Sequence, residues 1–454
     1  MSVSQGIFRQ YDIRGIVGHD LTEHAARVIG RAYAANLMSR GGRGAAIAVG
    51  RDNRPSGSAL RNALVRGLTE SGVHVVDVGV VPTPLLYWAL HNLDVSGGIQ
   101  ITGSHNPPEY NGFKLSVGTA SMHGDDIQEL YALIERGVFP SGSGTARSEP
   151  VIDRYLDDVV ERIGPLSRRL RVVLDCGNGA GALVAPRLLE RLGVELTSLF
   201  CESDGTFPNH HPDPTVVENL QDIIGAVRRG ADIGVALDGD ADRIGVISER
   251  GEIIWGDHVL IIYARDVFAR TGAGPVIFDV KCSQALPDAI RAAGGEPVMW
   301  KTGHSLIKDK MKELDAPIAG EMSGHMFFSE GFYGHDDAIY GAARLLRIIA
   351  DSGSTISELL ADVPKFVSTP EIRVDVAEER KFGIVADAIR YFRARREVVN
   401  VDGARVLFGD GWGLVRASNT QPVLVLRFEA RTADRLEEIR GEFEGWLRTQ
   451  GVAV

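Results

Sequence analysis

Three aspartates alternate in Asp238-Gly239-Asp240-Ala241-Asp242-Arg243. In an extended segment, residues two apart project to one side. The spacing therefore predicts three hard carboxylates facing together. Such a set suits Mg2+, which takes oxygen ligands and keeps positions open for phosphate or water. An EF-hand loop would place Glu249 at its twelfth position, but Arg243 stands at the sixth, where that loop needs glycine. The flanks also read as strands. A solvated acidic turn is the plainer alternative, weakened by Arg243, a ready phosphate partner.

A second polar stretch is Thr102-Gly103-Ser104-His105-Asn106-Pro107-Pro108. Gly103 lets the backbone turn, and the Asn-Pro-Pro exit is stiff. Ser104 is expected to expose its hydroxyl at the carboxyl end of a strand, where open α/β sheets bind ligands. No Gly-x-Ser-x-Gly elbow is present, which argues against hydrolase chemistry. Glu321, Ser323 and His325 alternate, offering an acceptor, a hydroxyl and a titratable ring. Arg416-Ala417-Ser418-Asn419-Thr420-Gln421-Pro422 combines a guanidinium, hydroxyls and an amide, as a phosphate cradle would. Each of these runs, taken alone, also reads as a polar turn. Gly177-Asn178-Gly179-Ala180-Gly181 lacks the Gly-x-Gly-x-x-Gly spacing, so dinucleotide binding is not expected.

The elements that must carry these loops recur. Strands at 45–49, 73–78 and 99–101 alternate with helices at 58–70 and 84–92, ending at the Ser104 loop. Strands at 171–175, 194–199 and 233–237, with helices at 180–192 and 217–228, end at the aspartates. Strands at 276–280, 297–300 and 318–319, with helices at 284–293 and 306–314, end at Glu321. Such alternation predicts α/β domains. From about Lys365 the pattern becomes that of a smaller α+β domain, with strands at 371–374 and 423–428 and a final helix at 433–447. The expected fold class is thus three similar α/β domains plus a smaller C-terminal α+β domain. The expected boundaries are 1–150, 151–252, 253–365 and 366–454. A linker is expected over Pro140–Pro150, rich in Ser, Gly and Pro.

Composition narrows the class. The 454-residue chain is 44% hydrophobic and 24% charged, ordinary values for a globular protein. A net charge of -11 disfavours a nucleic-acid partner. Cys176, Cys201 and Cys282 are widely spaced, so each is expected to be a buried, inert thiol. No signal peptide or membrane span is expected, and cytoplasm is the default. The oligomeric state is not readable.

The four signatures, in this order and across essentially the whole chain, resemble those of the α-D-phosphohexomutases. The opening Tyr11-Asp12-Ile13-Arg14-Gly15 resembles that of the same mutases, and the run Glu321-Met322-Ser323-Gly324-His325 resembles the phosphomannomutase/phosphoglucomutase branch. The family's metal loop is usually Asp-Gly-Asp-Gly-Asp-Arg, and Ala241 replaces its second glycine. The resemblance implies a central cleft between the domains. It implies that Ser104 carries a phosphoryl group and, with Asp238, Asp240 and Asp242, holds Mg2+. It implies hexose phosphates as substrates and a hexose 1,6-bisphosphate as activator. Substrate contacts would come from Tyr11, Arg243, Lys281, His304, Glu321, Met322, Ser323, Gly324, His325, and the Arg416, Ala417, Ser418, Asn419, Thr420 loop. Arg14, Lys114 and His325 are the unranked general acid or base candidates. An amino-sugar mutase and a catalytically silent sugar-phosphate sensor are the rival readings.

Overall fold

The structure is a computed structural model that describes residues 3–42, 44–418 and 422–454. The chain forms two compact units: Met1–Tyr263 with Ser323–Leu359, and Ala264–Met322 with Leu360–Val454.

The first unit opens with a sheet built from β1 (Ile13–Ile16), β2 (Ala46–Arg51), β3 (His74–Val80), β4 (Gly97–Ile101), β5 (Tyr110–Val117), β6 (Ala120–Ser121) and β7 (Ala146–Ser148). Its order is β1-β5-β4-β2-β3-β7, with β6 on β5. The helices are α1 (Glu23–Ser39), α2 (Gly57–Glu70), α3 (Thr83–Asn92) and α4 (Asp125–Arg136). Strand β4 is buried along its whole length, as expected of a strand covered on both faces. It runs parallel to β2 and antiparallel to β5. The Ser104 loop is the β4–β5 connection.

After α5 (Ile152–Ile163) comes a second sheet of β8 (Arg171–Asp175), β9 (Glu195–Leu199), β10 (Ile233–Leu237), β11 (Ile244–Ser248) and β12 (Ile253–Ile254), with α6 (Ala185–Arg191) and α7 (Gln221–Val227). The order is β12-β11-β10-β8-β9. Strand β10 is parallel to β8 and antiparallel to β11, so the aspartate loop repeats the construction of the Ser104 loop. In both, a buried parallel strand leaves through a polar turn and returns antiparallel. The unit boundary falls within α8 (Gly256–Thr271).

In the second unit, β13 (Pro275–Asp279) pairs in parallel with both β14 (Glu296–Trp300) and β15 (Ile318–Gly320), with α9 (Ala285–Ala292) and α10 (His304–Leu314) between them in sequence. The chain then contributes β16 (Met326–Phe328), α11 (Ala338–Ser352) and α12 (Ile356–Leu359) to the first unit. The remainder is β17 (Val367–Ser368), β18 (Ile372–Asp375), α13 (Glu378–Arg393), β19 (Val398–Val399), β20 (Ala404–Leu407), β21 (Gly411–Ala417), β22 (Val423–Ala430) and α14 (Ala433–Thr449). These strands form an antiparallel sheet, ordered β17-β22-β21-β20-β19 with β18 on β22. Phe392, Phe428, Phe443 and Trp446 fill its core against α13 and α14.

Several expectations are corrected. The expected linker at 140–150 contains β7, an exposed edge strand paired with β3. Its Ala-Arg-Ser sequence has no apolar face to signal it. The helix expected over 180–192 is a 3-10 turn followed by α6, which starts with Pro186 in its first turn, the position proline favours. Cys176 and Cys201 are not isolated buried thiols. Parallel β8 and β9 end in register at Asp175 and Leu199, which brings the two cysteines side by side, and Cys201 is only half-buried. Among the described residues, no helix is long and apolar enough to cross a membrane.

Candidate functional site

The aspartates converge through a turn rather than by strand alternation. Asp238 accepts from the Ala241 N–H at 3.1 Å through its carbonyl, and Ala241 takes φ 57°. That left-handed backbone is where glycine sits without cost, which accounts for glycine in the usual version of this loop. Asp238 Oδ1 accepts from the Asp242 and Arg243 N–H groups, each at 3.1 Å. One oxygen from each aspartate lies within 4.8 Å of the others, and all three residues are buried.

The charge balance favours a cation. Burial, with Asp242 and Asp240 beside it, pushes Asp238 well above the usual carboxylate range. Burial would also raise Asp242, but Lys114 and His325 outweigh it and hold that carboxyl well below. Lys114, on β5, pairs with Asp240 at 3.0 Å and with Asp242. Burial opposes its charge, yet these carboxylates hold its ammonium well above the ordinary lysine range. Asp240 Oδ2 accepts from Thr83 Oγ1 at 2.5 Å, Thr102 Oγ1 at 3.1 Å and Lys114 Nζ at 3.0 Å. Asp240 Oδ1 is buried with no hydrogen-bond donor. A bare buried carboxylate oxygen is costly, and it belongs to one of the three grouped aspartates, whose hard anionic oxygens suit Mg2+. The donor set therefore fits a divalent cation.

Ser104 stands at this cluster. Its Oγ donates to Asp238 Oδ2 at 3.2 Å and lies 3.1 Å from His105 Nδ1. The expected exposure is corrected: Ser104 is 3% exposed. The reason is the packing of its loop. Arg54, itself buried and paired with Asp52, donates to the carbonyls of Ser104 at 2.7 Å and Tyr110 at 2.9 Å. On the other side, a Cβ on Gly239 would meet the Ser104 carbonyl at 2.4 Å, so only glycine permits the approach. Ser104 itself takes φ 50°. Arg54 and His105 were not singled out from sequence. Burial, with Arg243 and Arg14 nearby, holds the His105 ring well below the usual histidine range, leaving a neutral imidazole beside the serine hydroxyl.

Three other expected residues gather here. Arg14, on β1, pairs with Asp12 and donates to Asn106 Oδ1 at 3.1 Å in the serine loop. His325 forms an isolated bridge with Arg243. Its Nε2 lies 3.1 Å from Asp242 Oδ1 and accepts from Arg243 Nε at 3.3 Å, and its Nδ1 lies 3.4 Å from Ser323 Oγ. Residues 321–325 form a turn with Gly324 at φ 97°, so the alternation of Glu321, Ser323 and His325 in sequence does not put them on one strand face. Tyr11 lies in the bend before β1.

The second unit assembles its own polar set. Asp279, at the end of β13, accepts from the Met322 N–H and from Thr302 Oγ1, each at 3.2 Å, and lies 3.7 Å from Lys281 Nζ. Lys281 also donates to Glu371 at 3.3 Å. Burial opposes the Lys281 charge, but Glu371 and Asp279 raise its ammonium above the usual value. Glu321 accepts from the Gly303 N–H at 2.6 Å. His304 opens α10 and is buried. Arg416 and Ala417 belong to strand β21 rather than to a loop. Arg416 Nε donates to Asp402 Oδ2 at 3.0 Å, and Asp402 also accepts from the Thr302 N–H at 3.1 Å. Ser418 follows, buried. Asn419 and Thr420 lie outside the described residues. Asp279, Glu371 and Asp402 were missed from sequence, since a lone acid at a strand end or in a loop carries no signature.

Successive α/β segments, each ending in a polar loop, together with a C-terminal antiparallel sheet, define a multidomain α/β protein with a candidate divalent-cation centre. The chain belongs to the phosphoglucomutase/phosphomannomutase family. Models of its α/β/α domains I, II and III match residues 5–140, 153–251 and 255–366, and the model of its C-terminal domain matches 371–445. The phosphomannomutase/phosphoglucomutase of Pseudomonas aeruginosa is 47% identical over 444 residues, covering 97% of this chain and 95% of that protein. A phosphoglucomutase of Neisseria gonorrhoeae is 47% identical over 454 residues, covering 99% and 98%. The crystal structure of a phosphoglucomutase/phosphomannomutase family protein from Burkholderia thailandensis superposes with a TM-score of 0.91 at 45% identity, covering 98% of each chain.

Proposed function

We propose that this chain is a phosphohexomutase that interconverts hexose 1-phosphates and hexose 6-phosphates of mannose, glucose or both. The carrying observation is the Ser104 hydroxyl held 3.2 Å from Asp238 at a buried cluster of three carboxylates. Ser104 Oγ carries the phosphoryl group and passes it to the free hydroxyl of a hexose monophosphate. The bisphosphate turns over, and its other phosphate returns to Ser104. A hexose 1,6-bisphosphate therefore primes the enzyme. A serine hydroxyl needs a base nearby. The neutral His105 ring, 3.1 Å from Oγ, is placed for that, whereas Lys114 serves as a charge partner of the aspartates. Asp238, Asp240 and Asp242 would hold Mg2+, which supplies charge neutralisation to the transferring group when bound. Arg14 keeps the serine loop in place through Asn106.

The relatives at 46–47% identity bear hexose mutase names, which does not favour the amino-sugar alternative. Retention of Ser104 and all three aspartates argues against a silent sensor. The test is peptide mass spectrometry after incubation with glucose 1,6-bisphosphate. One added phosphate on Ser104, absent from Ser104→Ala, is expected. A phosphate only at another residue would defeat the mechanism.

A further inference from the structure

Two thiols lie beside this site without a part in it. Cys176 Sγ and Cys201 Sγ are 3.0 Å apart. Cys176 is buried and Cys201 half-buried. Their loops are stitched together by the Cys176 N–H donating to the Leu199 carbonyl at 3.2 Å and the Asn178 N–H to the Phe200 carbonyl at 2.8 Å.

We propose that Cys176 and Cys201 form a reversible oxidation site, closing a disulfide under peroxide that slows the mutase. In reducing compartments, disulfides of this kind are transient and redox-sensing. The hydrogen bond with Cys176, acting against burial, draws the Cys201 thiol below its usual range, while burial pushes Cys176 well up. Cys201 is thus the attacking sulfur. Its thiolate attacks one oxygen of hydrogen peroxide, the O–O bond breaks, and the departing hydroxide takes a proton and leaves as water. The resulting sulfenic acid is attacked by Cys176 sulfur. The S–S bond forms, and the hydroxyl leaves with the Cys176 proton as a second water. The two sulfurs together lose two electrons, and the peroxide gains them.

Closure changes the site because both loops lean on it. A disulfide spans about 2.05 Å, so the sulfurs must approach by roughly 1 Å. The Ala180 N–H donates to the Gly239 carbonyl in the aspartate loop at 2.9 Å. A Cβ on Gly179 would meet that same carbonyl oxygen at 2.6 Å, so the contact leaves no slack. On the other side, Asn53 Nδ2 donates to the Asn178 carbonyl at 2.7 Å and to Ser203 Oγ at 2.9 Å. Asn53 directly precedes Arg54, which holds the Ser104 carbonyl. Drawing the two cysteine loops together therefore pulls on the backbone beside Asp240 and beside Ser104. Shifts of about 1 Å near reacting groups cost up to ~100-fold in rate.

Cys282 provides an internal control. It is buried, and its Sγ lies 3.0 Å from Asp279 Oδ1 with no thiol beside it among the described residues. The experiment exposes the full chain to hydrogen peroxide, alkylates the remaining thiols, maps the peptides and assays turnover in parallel. The expected result is a linked Cys176–Cys201 peptide, Cys282 still alkylated under denaturing conditions, and turnover down about tenfold or more, recovered with dithiothreitol. Cys201→Ser should match wild-type turnover before treatment and keep it afterwards. The proposal is overturned if both cysteines stay alkylatable, if the disulfide forms without a change in turnover, or if Cys201→Ser is slowed as much as wild type. The turnover readout rests on the mutase reading, but the peptide map does not, so failure of one is distinguishable from failure of the other.

Discussion

Thr83 and Asp240 touch twice. The Thr83 hydroxyl donates to Asp240 Oδ2 at 2.5 Å, and its N–H donates to the Asp240 carbonyl at 3.0 Å. The first residue of α3 thereby fixes which oxygen of the aspartate is left bare. Thr83→Val keeps the shape and the backbone contact but removes the hydroxyl. Partners that orient a metal ligand are worth about 10–100-fold in affinity. With Thr102 and Lys114 still donating, the lower end is expected. Calorimetric titration of the sugar-free protein with Mg2+ reads this directly. Unchanged affinity would show that Thr83 does not set the Asp240 orientation.

Lys114 is the only cation paired with both Asp240 and Asp242 among the described residues. Lys114→Met leaves two buried carboxylates without it, and breaking such a pair costs about 3–5 kcal/mol. Urea unfolding should move by that amount in metal-free buffer. Mg2+ should return part of the loss, as expected of a cation held by the folded site alone. A variant as stable as wild type without metal would contradict the assigned charge balance.

Much of this arrangement was legible in the sequence, for physical reasons. Strands β8 and β10 were read to the residue because their apolar runs end abruptly in Asp175 and Asp238. The serine and aspartate loops stood out because glycine, proline and clustered polar residues break those runs. The reason given for the aspartates was wrong even though the grouping was right: a turn at Ala241, not alternation, brings them together. Helix α1 was overlooked despite a Thr22 cap on the Ala25 N–H and Ala25, Ile29, Tyr33 and Leu37 four apart. Thr83, Arg54 and Asp402 were not foreseeable. Each is a single polar residue whose role depends on a partner far along the chain.

The Lys281–Glu371 pair should appear in acid. Lys281, with Arg373 beyond, lowers Glu371 from 4.5 to about 2. A depressed acid adds stability that is complete above its unfolded value and vanishes as pH falls through the folded one. Glu371→Gln should therefore cost roughly 2 kcal/mol near neutrality, after allowance for solvent screening, its side chain being 25% exposed. The deficit should shrink between about pH 4.5 and 2. Denaturant melts across that window measure it, and a deficit independent of pH would dismiss the ion pair as its cause.

Arg416→Ala should impair both directions of the mutase reaction. The phosphate that does not react must be anchored whichever end of the sugar is being attacked. One anchor therefore has to serve the 1-phosphate and 6-phosphate orientations alike. Arg416 suits this role because Asp402 fixes its Nε at 3.0 Å, and a positioned, planar guanidinium matches the geometry of a phosphate. Its place in β21 rather than in a loop makes that position firmer than the sequence implied. Loss of a charge-assisted hydrogen bond costs about 1.5–3 kcal/mol, or one to two orders of magnitude in kcat/KM. The loss should fall equally on both substrates, while phosphorylation of Ser104 by excess bisphosphate survives. Steady-state kinetics from each side decides it. A defect in one direction alone would tie Arg416 to a single orientation, and unchanged kinetics in both would remove it from the site.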